Sequence, residues 1–101
     1  MKINIQNKAK LSNKHLRFIK WRLNRSNRKY ANELIYADLF IDKECSTPTT
    51  YSAVIKLGIK GHDLLISKKA TSIEELWKKC SPLVERRIRK WKQKKAFNLS
   101  H

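Results

Sequence analysis

The stretch LIYADLFID, residues 34–42, decides how this chain folds. Ile35, Ala37, Leu39 and Ile41 fall on one side of an extended backbone, and Tyr36, Asp38, Phe40 and Asp42 on the other. Strict alternation of this kind predicts a strand with one buried and one wetter face. Working outward, CSTPTT at 45–50 is turn chemistry. From Tyr51 to Ile59 the alternation returns, with Tyr51, Ala53, Ile55, Leu57 and Ile59 pointing one way. Lys60-Gly61 suits a tight turn, and His62 to Ser67 is another short β run. Three successive strands with short connections imply an antiparallel meander.

Helical patterns flank the meander. Upstream, Lys2 to Gln6 alternates as a short strand, with Ile3 and Ile5 on one face. Ser12 is placed as an N-cap for a helix over 13–29, in which Leu16, Ile19 and Leu23 recur at helical spacing. The rest of that helix carries Lys14, Arg17, Arg22, Arg25, Arg28 and Lys29. Downstream, Thr71 with Glu74, or Ser72 with Glu75, fits a capping box. Both glutamates also lie where the helix dipole favours negative charge. Ile73, Trp77, Cys80, Val84, Ile88 and Trp91 form one apolar stripe, with Lys78, Arg86, Arg89 and Lys92 on or beside the opposite face. Pro82 interrupts this run; it removes an amide donor and costs about 3 kcal/mol in a regular helix. A kink is expected there, or a fresh helix capped by Ser81.

The predicted order is β-α-β-β-β-α, an α+β fold. The first strand reaches the meander through a helical crossover, which sets strands one and two parallel. Each helix has a single apolar stripe, so both should cover the same face of a four-stranded sheet. The outer helix surfaces then point the same way.

Those surfaces hold most of the charge. The chain has 101 residues and a formal net charge of +16. Residues 1–30, 31–71 and 72–101 carry net charges of +10, zero and +6. The first helix contains no acid, whereas ordinary exposed helices mix signs to gain i,i+4 pairs. A doubled basic surface of this kind points to a polyanionic partner that neutralises it. Hydrophobic residues make up 41%, and there are two glycines and two prolines, so the chain has the makings of a folded core.

Aromatic residues interleave with the cations. Phe18 and Trp21 lie on or near the basic face of the first helix, where either is able to stack on a base or an arginine plane. Packing at the helix edge is the simpler reading for Phe18; Trp77 and Trp91 belong to the buried stripe. Arg87 lies close to that stripe, placed to snorkel, to bond a strand end, or to reach a ligand from the rim.

Other chemistries find little support. Cys45, Cys80, His15, His62 and His101 show no short paired spacing for a metal, and Cys80 reads as a small core residue. His62 and Asp63 are adjacent and point to opposite faces of a strand. With Gly58 and Gly61 as the only glycines, no phosphate-cradling loop is expected. No enzyme activity, cofactor or small-molecule substrate is expected. No secretory signal is seen in the opening residues and no apolar run spans a membrane, which points to a cytoplasmic protein with free thiols.

KINI at 2–5, LSNKHLRFIKWRLNR at 11–25, the three strands and TSIEELWKKCSPLVERRIRKWKQKK at 71–95 together resemble the ribosome hibernation-promoting factor family, also called ribosome-associated inhibitors. The resemblance covers roughly residues 2–95. It rests on element order, on Phe18, Ile19, Arg22 and Leu23 of the first helix, and on the basic end of the second. It implies the β-α-β-β-β-α fold, similar in layout to double-stranded RNA-binding domains. It also implies docking on the small ribosomal subunit, where basic helix faces contact ribosomal RNA in the space used by messenger and transfer RNA. Translation is then blocked and idle ribosomes preserved, a bacterial stress response. Arg22 matches a basic site on the family's first helix; Arg86, Arg89, Lys90 and Lys92 fall in the basic end of its second. The expected RNA-binding set is therefore Arg22, Arg25, Arg28, Lys29, Lys78, Arg86, Arg89, Lys90 and Lys92. The length fits the short form: one domain over 1–96, a tail at 97–101, and a free protein that is monomeric. The chain departs from the family in its acid-free first helix, in Pro82, and in His15 where leucine is common. The other polyanion consistent with the residues is duplex DNA, bound by a small regulatory protein.

Overall fold

The computed structural model describes residues 1–29 and 34–99, with side chains described through residue 93. Six elements follow in the expected order: β1 (Lys2–Asn7), α1 (Asn13–Lys29), β2 (Leu34–Glu44), β3 (Thr50–Ile59), β4 (His62–Ala70) and α2 (Ile73–Leu99). The sheet runs β1-β2-β3-β4, with β1 parallel to β2 and the remaining pairs antiparallel. This is the predicted meander with its parallel edge strand.

Register aligns the apolar residues in rows across the sheet. Ile5, Leu39, Ile55 and Ile66 form one row; Ile3, Ala37, Leu57 and Leu64 form the next. Ile19 and Leu23 of α1 and Leu76, Trp77, Cys80, Val84 and Ile88 of α2 close over this face in a single core. Both helices thus cover one side of the sheet.

The alternation misassigns one residue. Ile35 was expected on the buried face, yet it is 56% exposed while Leu34 is buried. The register shifts between Leu34 and Tyr36, so two residues of β2 oppose one of β3. Such a bulge reverses the faces on one side of it.

The helix starts are fixed as capping chemistry requires. The His15 amide donates to Ser12 Oγ at 3.4 Å, and the Leu16 amide to the Ser12 carbonyl at 3.1 Å. For α2 the structure selects Ser72 over Thr71, with the Glu75 amide on Ser72 Oγ at 3.2 Å. At the end of α1, buried Asn27 accepts the Leu34 amide through Oδ1 at 2.9 Å, tying the helix to the start of β2. Gly61 turns β3 into β4 at φ 77°, a conformation that favours glycine.

Pro82 does not divide α2. The helix runs from Ile73 to Leu99 with Pro82 inside it, so Ser81 caps no second helix. Pro82 is exposed on the side away from the sheet. The Lys78 carbonyl therefore has no helical amide from residue 82. Core packing on the opposite side, through Trp77, Cys80, Val84 and Ile88, offsets that loss. The last turn of the helix ends at Leu99. The side chains of Lys94 and Lys95, and residues 100–101, lie outside the described residues. No described helix is long and apolar enough to cross a membrane.

Candidate nucleic-acid interface

Residues 15, 22 and 29 of α1 are spaced by seven, which places them on one flank of the helix. That flank faces α2. His15 Nε2 lies 3.4 Å from Glu74 Oε1, Arg22 Nη2 donates to Ser81 Oγ at 2.9 Å, and Lys29 Nζ lies 3.6 Å from Glu85 Oε2. The acids missing from α1 are supplied by α2. Both partners of each rung count from the N-terminal end, so the helices lie side by side in the same direction.

Between the rungs the helices leave two adjoining concavities. The first, of about 500 Å³, is lined by Arg22, Arg25, Ser26, Arg28, Lys29 and Glu85. Four cations face one acid there, a local excess of +3. Some of this charge has a local role, because Arg28 and Lys29 sit in the last turn of α1, where the helix dipole favours cations. Arg25 also stacks on Trp21, its guanidinium carbon 5.4 Å from the ring centroid. The arginine plane considered as a stacking partner for Trp21 is thus supplied by the same helix. Four guanidinium and ammonium groups around one hollow remain the arrangement that receives phosphate oxygens, since arginine forks match them bidentately.

The second concavity, of about 580 Å³, lies between the helices towards their N-terminal ends. Ile19, Ile73 and Trp77 line its apolar part; His15, Phe18, Arg22, Lys78 and Pro82 are also in its wall. Phe18 was read as packing at the helix edge, but it is 48% exposed, with its ring centroid 6.4 Å from that of Trp21. Trp77 is core as expected, at 9% exposure, and its buried indole Nε1 has no hydrogen-bond partner among the described residues.

The nine cations named from sequence do not form one continuous patch. Arg22, Arg25, Arg28 and Lys29 are brought together, and Lys78 lines the neighbouring groove. At 100° per residue, Arg89 and Lys92 prolong the row of Lys78 and Glu85 that faces α1. Arg86 and Lys90 turn the other way, towards the flank of Lys79, whose Nζ donates to the Lys69 carbonyl of β4 at 3.1 Å. Arg87 leans the same way and reaches the Leu65 carbonyl at 3.5 Å. Of its three readings, the strand contact is the one seen. Arg87 and Lys79 thereby occupy carbonyls of the edge strand β4.

Sequence reading missed Glu85 and gave Ser81 only a capping role. Both lie on the α1-facing flank, four residues apart, and Glu85 is the only acid in 84–95. A solitary acid in a basic run, at i+4 from a small polar residue, is a signal for a helix-helix seam. Among the described residues, no three His, Cys, Asp or Glu side chains gather as a metal site. Burial pushes the Cys80 thiol up to about 11, keeping it protonated in the core.

No protein-family model matches the chain, and no curated protein matches it in sequence. Solved structures do. The N-terminal domain of Thermus thermophilus Protein Y superposes with a TM-score of 0.70 at 14% identity, over 89% of this chain and 94% of that one. A ribosomal subunit interface protein from Coxiella burnetii gives 0.68 at 9% identity, over 92% and 99%. At these identities the likeness shows the fold. Both neighbours are of the ribosome hibernation-promoting factor family, so the resemblance read from residues 2–95 holds at the level of architecture, in the order β-α-β-β-β-α.

Proposed function

We propose that this chain is a ribosome-binding factor that lays its two basic helices on ribosomal RNA of the small subunit. There it occupies the space of messenger and transfer RNA and holds ribosomes idle. The observation that carries this reading is the hollow of Arg22, Arg25, Arg28 and Lys29, set on a fold shared with a ribosomal subunit interface protein. The helices run side by side, so their cations present a broad surface to a folded RNA rather than a single probe for a duplex groove. Recognition by phosphate position and shape follows from that breadth. No reaction is assigned to the site. Arg25, Arg28 and Lys29, with Lys78, Arg89 and Lys92 along the facing row, supply the phosphate contacts. Arg22 contributes while held by Ser81, and Arg86 and Lys90 extend the contact on the far flank.

The test is co-sedimentation with ribosomes over a salt series, with duplex DNA as competitor. Small-subunit binding that weakens steeply with salt and survives DNA at equal phosphate concentration is the expected result. Binding abolished by the DNA would make the chain a general polyanion binder and favour the DNA-binding alternative. Salt-independent binding would contradict the electrostatic basis altogether.

A further inference from the structure

At about 100° per residue, Lys14, Phe18, Trp21, Arg25 and Arg28 fall within about 40° of one line along α1. Buried Ile19 and Leu23 lie about 140–180° away from that line, on the side that packs into the core. The line is therefore the pole of the helix farthest from the sheet, and all five of its residues are exposed. Such a pole is ordinarily polar. Here it carries two large rings among the cations, Phe18 at 48% and Trp21 at 49% exposure. Neither ring belongs to the core cluster. The fold makes partial use of one of them, because the Arg25 guanidinium lies over Trp21 as an i,i+4 pair that supports the helix. Half of Trp21 stays open with that pair in place, and so does half of its neighbour Phe18.

The partner of this pole must suit rings and positive charge together. The helix has no acid along its length to offset its cations. Arg25 and Arg28 belong at once to the pole and to the phosphate hollow. A membrane-surface helix keeps its apolar and charged faces apart; on α1 rings and cations share one line. An unpaired nucleic-acid strand offers base faces and phosphates in alternation, which is what interleaved rings and cations receive. We propose that this pole takes an unpaired segment of RNA, its bases stacked on Trp21 and Phe18 and its phosphates drawn to Arg25 and Arg28. The proposal rests on the RNA-binding reading above and adds that part of the bound RNA is single-stranded. Stacking uses the face of a base and not its edge, so the contact tolerates any sequence. Paired RNA keeps its bases stacked on one another and presents phosphates and sugar hydroxyls instead.

Three RNAs of equal phosphate number separate these contributions: an unpaired strand, the same strand made abasic, and a duplex. The full chain is titrated with each across a salt series, by filter binding and by tryptophan emission. The wild type should bind the unpaired strand about tenfold more tightly than the abasic one, about the size of one base-aromatic stack. The unpaired strand alone should quench tryptophan emission. Phe18→Ala with Trp21→Ala, at positions outside the core, should erase that preference with an unchanged salt slope and unchanged affinity for the duplex. Trp21→Phe keeps a ring, and should retain most of the affinity while losing the quenching. Equal wild-type affinity for the unpaired and abasic strands would overturn the stacking and leave RNA binding standing. So would a double variant that binds the unpaired strand as tightly as the wild type. Failure of the wild type to bind any of the three RNAs or ribosomes would instead defeat the RNA reading itself. Quenching by phosphatidylglycerol vesicles, but not by the unpaired strand, would give the pole to a lipid surface and also overturn the proposal.

Discussion

Replacing Glu85 by glutamine should tighten binding to ribosomal RNA, although Glu85 takes part in an ion pair that joins the helices. Its carboxylate is the one negative group in the hollow lined by Arg22, Arg25, Arg28 and Lys29. The Lys29–Glu85 pair is 3.6 Å long with side chains 60% and 33% exposed. A pair of that kind contributes about 0–1 kcal/mol to stability. A phosphate seated in the hollow at about 7 Å from the carboxylate would feel a repulsion of about 0.6 kcal/mol in water. Removing it therefore improves affinity by about threefold without screening and by about 1.7-fold at 0.1 M salt, where the screening length is about 10 Å. The gain should shrink as salt rises, and the log-log salt slope should steepen by up to about 0.9. Filter binding or co-sedimentation across 0.05–0.3 M salt (a range set by about the same counterion-release regime), beside a thermal melt, measures both. Unchanged or weaker binding by a variant of normal stability would refute the placement of phosphate in this hollow.

Four further outcomes are expected. Arg25→Gln with Arg28→Gln should lower ribosome affinity about tenfold per lost contact at 0.1 M salt and flatten the salt slope by about 1.4–1.8, read from the same binding series. Gly58→Ala should destabilise the sheet by about 1–3 kcal/mol: a Cβ there would clash with the Tyr36 ring at Cε1, forcing the ring off Asp63, to which its hydroxyl donates at 2.8 Å. Adding Tyr36→Ala should recover part of the lost melting temperature, and no recovery would place the strain elsewhere. Because the folded Cys80 thiol is raised to about 11 from 9.0, the native state holds its proton where the unfolded chain loses it. Stability should thus fall as pH rises from 9 towards 11, more steeply in the wild type than in Cys80→Ala, when the two are melted in parallel. A thiol reagent should meanwhile modify exposed Cys45 quickly and buried Cys80 only on unfolding.

The fold was legible because each element carries its own period. Ala37, Leu39 and Ile41 against Ala53, Ile55, Leu57 and Ile59 define the sheet's inner face before any contact is known. The failures occurred where a local rule meets a non-local one. The bulge at Ile35 arises in the pairing of β2 with β3, which alternation within β2 does not encode. Pro82 opposes a helix locally, but Trp77, Cys80, Val84 and Ile88 hold the helix to the sheet on the other side. The site was legible as charge and not as shape. Arg25 and Arg28 are evident in a list of cations; that they meet Arg22 and Lys29 around one hollow, while Arg86 and Lys90 face elsewhere, depends on which flank of α2 lies beside α1.

The seam itself explains why so much positive charge is tolerated in a chain this small. Two basic helices lying in parallel repel through their side chains, and their aligned dipoles oppose close approach as well. The ladder of His15–Glu74, Arg22–Ser81 and Lys29–Glu85 spans nearly the whole of α1 and uses two of the three acids of α2. Glu75 is occupied at the cap, accepting from the Thr71 hydroxyl at 3.3 Å. The acids of α2 are thus assigned to structural tasks, and Glu85, which also borders the hollow of Arg25 and Arg28, leaves it three positive charges in excess. On the sheet, Asp63 is engaged by Tyr36 and Lys56, and Asp38 accepts from Asn4. An excess of cations distributed in this way is not left over from poor pairing. The acids stand at positions that hold the helices together, and the unbalanced charge collects on the outer side of the seam, facing the direction from which a phosphate backbone would approach.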